Sequence, residues 1–306
     1  MKSTNKTIFT TQWDNDNVLI ESSGGGFSRY FLSIFFKNWL LLKPKKTEYN
    51  VILKYSNDEK RDSIKASLFN YTREIKENQI TTLIYKPQIL RAIVRSLYKF
   101  TNKHASVVGV SELYMAIIRR SIIEPIEYVN YLKGWKMVHA SVFRLNNKLY
   151  VVSAGSKVGK STLVSKLRNE YNCEVLSDNY CFVRGNKVRT IEEPLRGGLP
   201  SRYKLSFYKR TINGYPTSFE GEINHFIIMN RGGQNRLLKI DFEDLNFIVN
   251  KTNNQEKEGI CFLEEVDPIR ILKNEIKIGG NFSAYKLEVA EGLNNLNTSI
   301  NLINKI

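Results

Sequence analysis

Cysteine and histidine are both scarce in this chain, with three of each among 306 residues. Cys173, Cys181 and Cys261 form no Cys-x-x-Cys pair and lie outside the Cys/His spacings that zinc requires, so they are expected to be free, buried thiols. His104 and His225 lack a carboxylate or cysteine companion at ligand spacing and are expected to be structural. No His-Glu-x-x-His helix and no Gly-x-Ser-x-Gly elbow is present, which removes two common hydrolase signatures. No internal repeat is visible. No apolar run approaches the ~20 residues of a membrane span. The most apolar segment, Phe31 to Leu42, is interrupted by Lys37 and Asn38 and reads as a buried strand or helix, with an interfacial anchor as the alternative because lysines follow it. The odd cysteine count and the lack of a charged, apolar, small-residue leader point to a reducing, cytoplasmic setting.

Negative charge is in deficit as well. Asp and Glu number 30 against 46 Lys and Arg, a formal charge of +16 and a pI near 9.6. An acidic partner is expected: nucleic acid, an anionic membrane surface, an acidic peptide or a polyphosphate nucleotide. With 42% hydrophobic residues, 11% of the total aromatic, the chain can fill a core.

The first 110 residues read as a substrate-recognition or accessory region of α+β type. Gly24-Gly25-Gly26 reads as a turn, and Gln88 to Phe100 as an amphipathic helix with Arg91, Arg95 and Lys99 along one face. A second helix is expected over Ser111 to Ile123, ending before Pro125. From residue 111 to 306 a second domain is expected, and after Trp135 the texture turns to β: Met137 to Phe143 and Leu149 to Ser153 around the turn residues Asn146 and Asn147. Ser161 to Tyr171 reads as a helix and Glu174 to Leu176 as a strand. Tyr180 to Val183 and Lys187 to Ile191 read as a hairpin turning at Gly185-Asn186. Strands at His225 to Met229 and Arg236 to Ile240 follow, then helices at Phe242 to Val249 and Leu293 to Ile306.

What is present is a phosphate-loop pattern. The strand-like Tyr150-Val151-Val152-Ser153 runs into Ala154-Gly155-Ser156-Lys157-Val158-Gly159-Lys160-Ser161-Thr162, which fits the Walker A motif with alanine in the first glycine place. Such a loop points backbone N–H groups at one spot at a helix N-terminus, where the helix dipole adds positive potential. Lys160 is expected to meet the β- and γ-phosphates, Ser161 to hold Mg²⁺, and Thr162 to cap the helix or assist. Ala154 fits only if that position does not demand positive φ, and Lys157 adds a second cation. Eighteen residues beyond Lys160, Asp178 stands at the end of a short strand, where a carboxylate serves as Mg²⁺ ligand or general base.

Met137-Val138-His139-Ala140-Ser141, the Gly-Lys-Ser loop and Leu176-Ser177-Asp178, in that order, resemble the catalytic domain of HPr kinase/phosphorylase and of its relatives that phosphorylate a serine of lasso-peptide precursors. The resemblance covers roughly residues 110 to 306 and extends to Ile223 to Gly233 and Leu237 to Asp241. It implies an α/β fold: a P-loop kinase core of the HPr kinase and phosphoenolpyruvate carboxykinase type with a mixed sheet. It also implies a serine kinase using ATP and Mg²⁺, with Asp178 and His139 as catalytic residues and Arg196, in Pro194-Leu195-Arg196-Gly197-Gly198, stabilising the transferring phosphoryl group. Asn179 departs from the family's consecutive Asp pair, which weakens metal binding and tells against the phosphorylase reaction. The partner implied is a peptide or protein bearing an acceptor serine, and self-association into a homo-oligomer stays open. A second function class also stays open: a nucleic-acid-engaging P-loop protein, either a polynucleotide kinase or a nucleotide-regulated binding module, favoured by the charge but without a helix-turn-helix, zinc-finger or RNP-like motif.

Overall fold

Runs of β-branched and aromatic residues broken by Asn and Gly give this chain sheets, and helices are added where the spacing of apolar residues changes. The computed structural model describes residues 6–11, 13, 18–23, 48–56, 63–65, 69–85, 117, 119–155, 158–178, 180–191, 195–196, 207–208, 218–256, 276–291 and 293–306. The glycine run at 24–26, the segment Phe31 to Leu42, the helix expected over Gln88 to Phe100, His104 and Cys261 lie outside those residues. The chain forms two compact units, Met1–Val129 with Leu199–Thr217 and Asn130–Gly198 with Ser218–Ile306.

The first unit carries a six-stranded sheet of β1 (Lys6–Thr10), β2 (Val18–Ser23), β3 (Tyr49–Ser56), β4 (Ile64–Lys65), β5 (Asn70–Lys76) and β6 (Gln79–Tyr85), in the order β1-β2-β3-β6-β5-β4. A π-helical turn at Arg119–Ile123 leads into helix α1, Glu124–Leu132. The helix expected to stop before Pro125 therefore continues through it. Proline is tolerated in the first turn, where its missing N–H costs little, and the wider π turn before it accommodates the ring. Glu124, almost fully buried, is bonded by Arg73 at 2.9 Å and by Arg120 at 2.7 Å.

The second unit is built on a nine-stranded sheet. Its strands are β7 (Lys136–Leu145), β8 (Lys148–Ala154), β9 (Glu174–Ser177), β10 (Tyr180–Arg184), β11 (Lys187–Thr190), β14 (Phe219–Glu222), β15 (His225–Arg231), β16 (Arg236–Ile240) and β17 (Ser283–Val289). The short strands β12 (Leu195–Arg196) and β13 (Phe207–Tyr208) complete the numbering. The order is β14-β11-β10-β7-β8-β15-β17-β16, with β9 beside β7. The sheet is mixed: β8, β15 and β17 run parallel and the other pairs are antiparallel. Asn146 and Asn147, both at positive φ (51° and 60°), turn β7 into β8, and Gly185 (φ 60°) turns β10 toward β11.

Helices cover both faces. On one, Leu163, Val164 and Leu167 of α2 (Lys160–Tyr171) and Leu296, Ile300 and Ile303 of α4 (Leu293–Ile303) pack on Phe143, Val152 and Ile227. On the other, Leu245 and Val249 of α3 (Phe242–Glu256) pack on Val142, Val151 and Phe226. Each such side chain contributes about 1.5–3 kcal/mol by leaving water. Buried on both faces, β8 and β15 are continuous apolar runs, whereas β16 at the sheet edge is largely exposed. Cys173 and Cys181 are buried and not joined in a disulfide. Among the described residues no helix is long and apolar enough to cross a membrane.

Candidate functional site

Three strands bring the candidate residues to one end of the sheet. Ala140 of β7 pairs with Ser153 of β8, and Val142 of β7 with Ser177 of β9. The exits of β8 and β9 and the first half of β7 therefore lie at one end, the end at which loops follow the parallel strands and ligands are commonly received.

The motif sits between β8 and α2. Ala154 is the last, fully buried residue of β8 and is not among the positive-φ residues, so alanine serves there. Gly155 follows, and its carbonyl accepts the N–H of Val158 at 3.4 Å. Ser156 and Lys157 lie outside the described residues. Gly159 holds φ 113° at the start of α2, a conformation that side chains disfavour, which is why this position is glycine. Lys160 opens the helix and is buried at 6% exposure, Ser161 is half-buried and Thr162 is exposed. The helix ends on Asn172 in the left-handed conformation, its N–H bonded to the carbonyl of Leu167.

Asp178, 2% exposed, follows β9 directly. The Lys160 ammonium donates to the Asp178 carbonyl oxygen at 2.8 Å. The Ser141 hydroxyl lies 2.8 Å from the same carbonyl and 3.3 Å from Oδ1 of the Asp178 carboxylate. The motif lysine and the strand-end aspartate, separated by eighteen residues, thus meet at one point, and Ser141 holds both polar groups of the aspartate. His139 is two residues before Ser141 on β7 and hence on the same face. Its ring lies 6.0 Å from that of Tyr180, its strand partner across the β7–β10 pair. Arg196 is on β12, and its side chain is outside the described set, as is Asn179.

Ser141 and Ser153 have no role assigned to them by any sequence motif. Ser153 donates to the carbonyl oxygen of His139 at 3.0 Å. The one available signal is that both are hydroxyl residues flanked by apolar neighbours in strands, where an unpartnered buried hydroxyl would be costly.

Among the described residues no cluster of three His, Cys, Asp or Glu side chains stands ready for a metal. Magnesium asks less: it prefers oxygen donors, keeps several waters and commonly takes only one or two protein ligands beside phosphate. The Ser161 hydroxyl and the Asp178 carboxylate are oxygen donors of that kind.

No protein-family model and no curated protein matches the chain. Among solved structures it is similar to the Hpr(Ser) kinase/phosphatase from Coxiella burnetii, at 12% identity over 56% of this chain and 89% of that one, with a TM-score of 0.27. The likeness is a distant one.

Away from this edge, His225 packs between the rings of Tyr150 (4.9 Å) and Tyr285 (5.8 Å). Burial and the Lys148 ammonium push its imidazole below 6.5, against a bond to the Ile306 backbone. Burial pushes the Cys173 thiol up to about 12, with the Glu174 carboxylate adding to the effect. A thiol held protonated in this way is not suited to nucleophilic work at neutral pH.

Proposed function

We propose that this protein is a phosphotransferase that moves the γ-phosphoryl group of ATP to a serine-type hydroxyl of a peptide or protein. The observation that carries the proposal is the 2.8 Å bond from Lys160 at the head of α2 to the main-chain carbonyl of Asp178, which brings a phosphate-seeking cation to the residue that bears the carboxylate. The loop amides and the helix N-terminus would receive the triphosphate, and Lys160 would exchange its carbonyl partner for phosphate oxygens. Mg²⁺ held by Ser161 and Asp178 would neutralise charge on the β- and γ-phosphates. In the step itself a bond forms between the acceptor oxygen and the γ-phosphorus, the bond from that phosphorus to the β–γ bridging oxygen breaks, and the hydroxyl proton passes to the Asp178 carboxylate. His139, on the same face of β7 as Ser141, and Arg196 are proposed to assist at the acceptor and the transferring group.

The test is ATP binding and phosphate transfer to serine-bearing peptides by wild type, Lys160→Ala and Asp178→Asn. Transfer by wild type, loss of binding with Lys160→Ala, and binding without transfer with Asp178→Asn support the proposal. ATP binding by wild type without transfer to peptide, free serine or a nucleic-acid end would replace it with a nucleotide-gated binding protein. Turnover stimulated by polynucleotide and lost steeply with salt would favour the nucleic-acid function instead.

A further inference from the structure

Three of the four asparagines of helix α3, Asn246, Asn250 and Asn253, stand at i, i+4 and i+7, so their side chains share one face. Each does the same thing. Asn246 accepts the N–H of Ile278 at 2.6 Å and donates to its carbonyl at 3.0 Å; Asn250 does so with Ile276 at 2.9 and 3.0 Å. The spacing explains the match: four residues of helix rise about 6 Å, and two residues of extended chain advance about 6.6 Å. A ladder of side-chain amides stands in for a neighbouring strand.

The third rung falls on β7 at the candidate site. Asn253 accepts the N–H of His139 at 3.0 Å and donates to the carbonyl of Met137 at 2.7 Å. Here β7 needs a substitute partner. Its last pair with β8 is Ala140 with Ser153, after which β8 ends and the motif loop begins, while β10 continues along the opposite edge. Ser153 takes the remaining His139 carbonyl. The stretch of β7 left open by the departing loop is therefore closed by two side chains, and Ser141, the residue holding Asp178, comes two positions later on the same strand.

We propose that Asn253 is a positioning residue for phosphoryl transfer: by fixing the backbone of Met137 and His139 it sets where Ser141 holds the Asp178 carboxylate relative to the motif loop. This rests on the phosphotransferase function proposed above. Asn253 sits on the opposite face of the sheet from α2 and acts only through β7.

Asn250 supplies the control, because it makes the same kind of amide clamp on the same helix but on Ile276, away from β7. Asn253→Ala and Asn250→Ala are compared with wild type for thermal midpoint, for KM toward MgATP and for kcat per folded molecule with serine-bearing peptides. Asn253→Ala is expected to lose about tenfold to a hundredfold in kcat, the range that a misplacement of about 1 Å produces, with KM for MgATP within about twofold of wild type. Asn250→Ala is expected to lose thermal stability but keep its kcat. A second variant, Asn253→Asp, keeps the acceptor for His139 N–H and faces the Met137 carbonyl with an anionic oxygen. Protonating that carboxyl restores a donor, so its kcat deficit against wild type should shrink as pH is lowered toward about 4–5, near the ordinary carboxyl range. Wild-type kcat in Asn253→Ala and Asn253→Asp, or equal kcat losses in Asn253→Ala and Asn250→Ala, would overturn the positioning role and leave the phosphotransferase standing. A wild type that binds MgATP and transfers nothing would remove both.

Discussion

The two ends of the nine-stranded sheet are made by the same strands and hold opposite chemistry. At the end where β8 and β9 exit, hydroxyls and a lysine are turned onto backbone and carboxylate: Ser141 and Lys160 on Asp178, Ser153 on His139. At the other end Tyr150 stacks on Phe143 at 5.2 Å and closes on His225. Each end has a histidine. His139 lies where strands stop short and side chains must complete the ladder, whereas His225 lies between tyrosine rings that exclude water. What distinguishes them is where the main chain runs out of partners, because an unfinished ladder is what brings polar side chains together.

That contrast can be broken from either end. The largest effect is expected from Asp178→Asn, which removes the proposed proton acceptor and should cut the proposed phosphoryl transfer about 10²–10⁴-fold while ATP still binds, as measured by transfer assays beside equilibrium binding. Gly159→Ala should destabilise the fold by about 1–2 kcal/mol, because φ 113° is strained for any residue with a Cβ. Denaturant unfolding measures that cost, and ATP affinity should fall with it as the loop is displaced. Ser141→Ala should cost about 1 kcal/mol in the same unfolding experiment by removing the bonds to Asp178, and should lower kcat more than it raises KM for ATP.

The aromatic end should respond to acid and not to substrate. The folded His225 imidazole titrates below its ordinary 6.5, so the unfolded chain binds its proton first. Stability is therefore complete above pH 6.5 and is lost as pH falls through the depressed folded value. His225→Phe should remove that part of the acid loss in thermal melts between pH 5 and pH 7, a range bracketing the ordinary value, and leave transfer activity unchanged. The smallest effect is a null one. Cys173, with its thiol pushed up to about 12, should stay unmodified by thiol reagents at pH 8 in the native protein and react on unfolding.

Much of the second unit was legible as local pattern. The turns at Asn146-Asn147 and Gly185-Asn186, the strand–loop–helix around Lys160 and the strand ending at Asp178 all arise from residues close in sequence. The helix α3 was legible only in part: its expected end at Val249 became Glu256, because Asn250 and Asn253, poor helix formers in isolation, are bonded to backbone that the sequence does not place nearby. Pro125 misled in the same way, since a π turn absorbs it.

By itself the sequence determined the motif, the glycine at its helix entrance and the continuous apolar runs that bury β8 and β15. Local backbone preference and hydrophobic period act over a few residues and need no partner. Only the tertiary structure decided that Lys160 reaches the Asp178 carbonyl, that Ser141 holds the carboxylate and that Asn253 closes β7. Those contacts join residues 18, 37 and 114 to 116 positions apart, and which polar groups meet at such distances depends on strand order and on where each ladder ends.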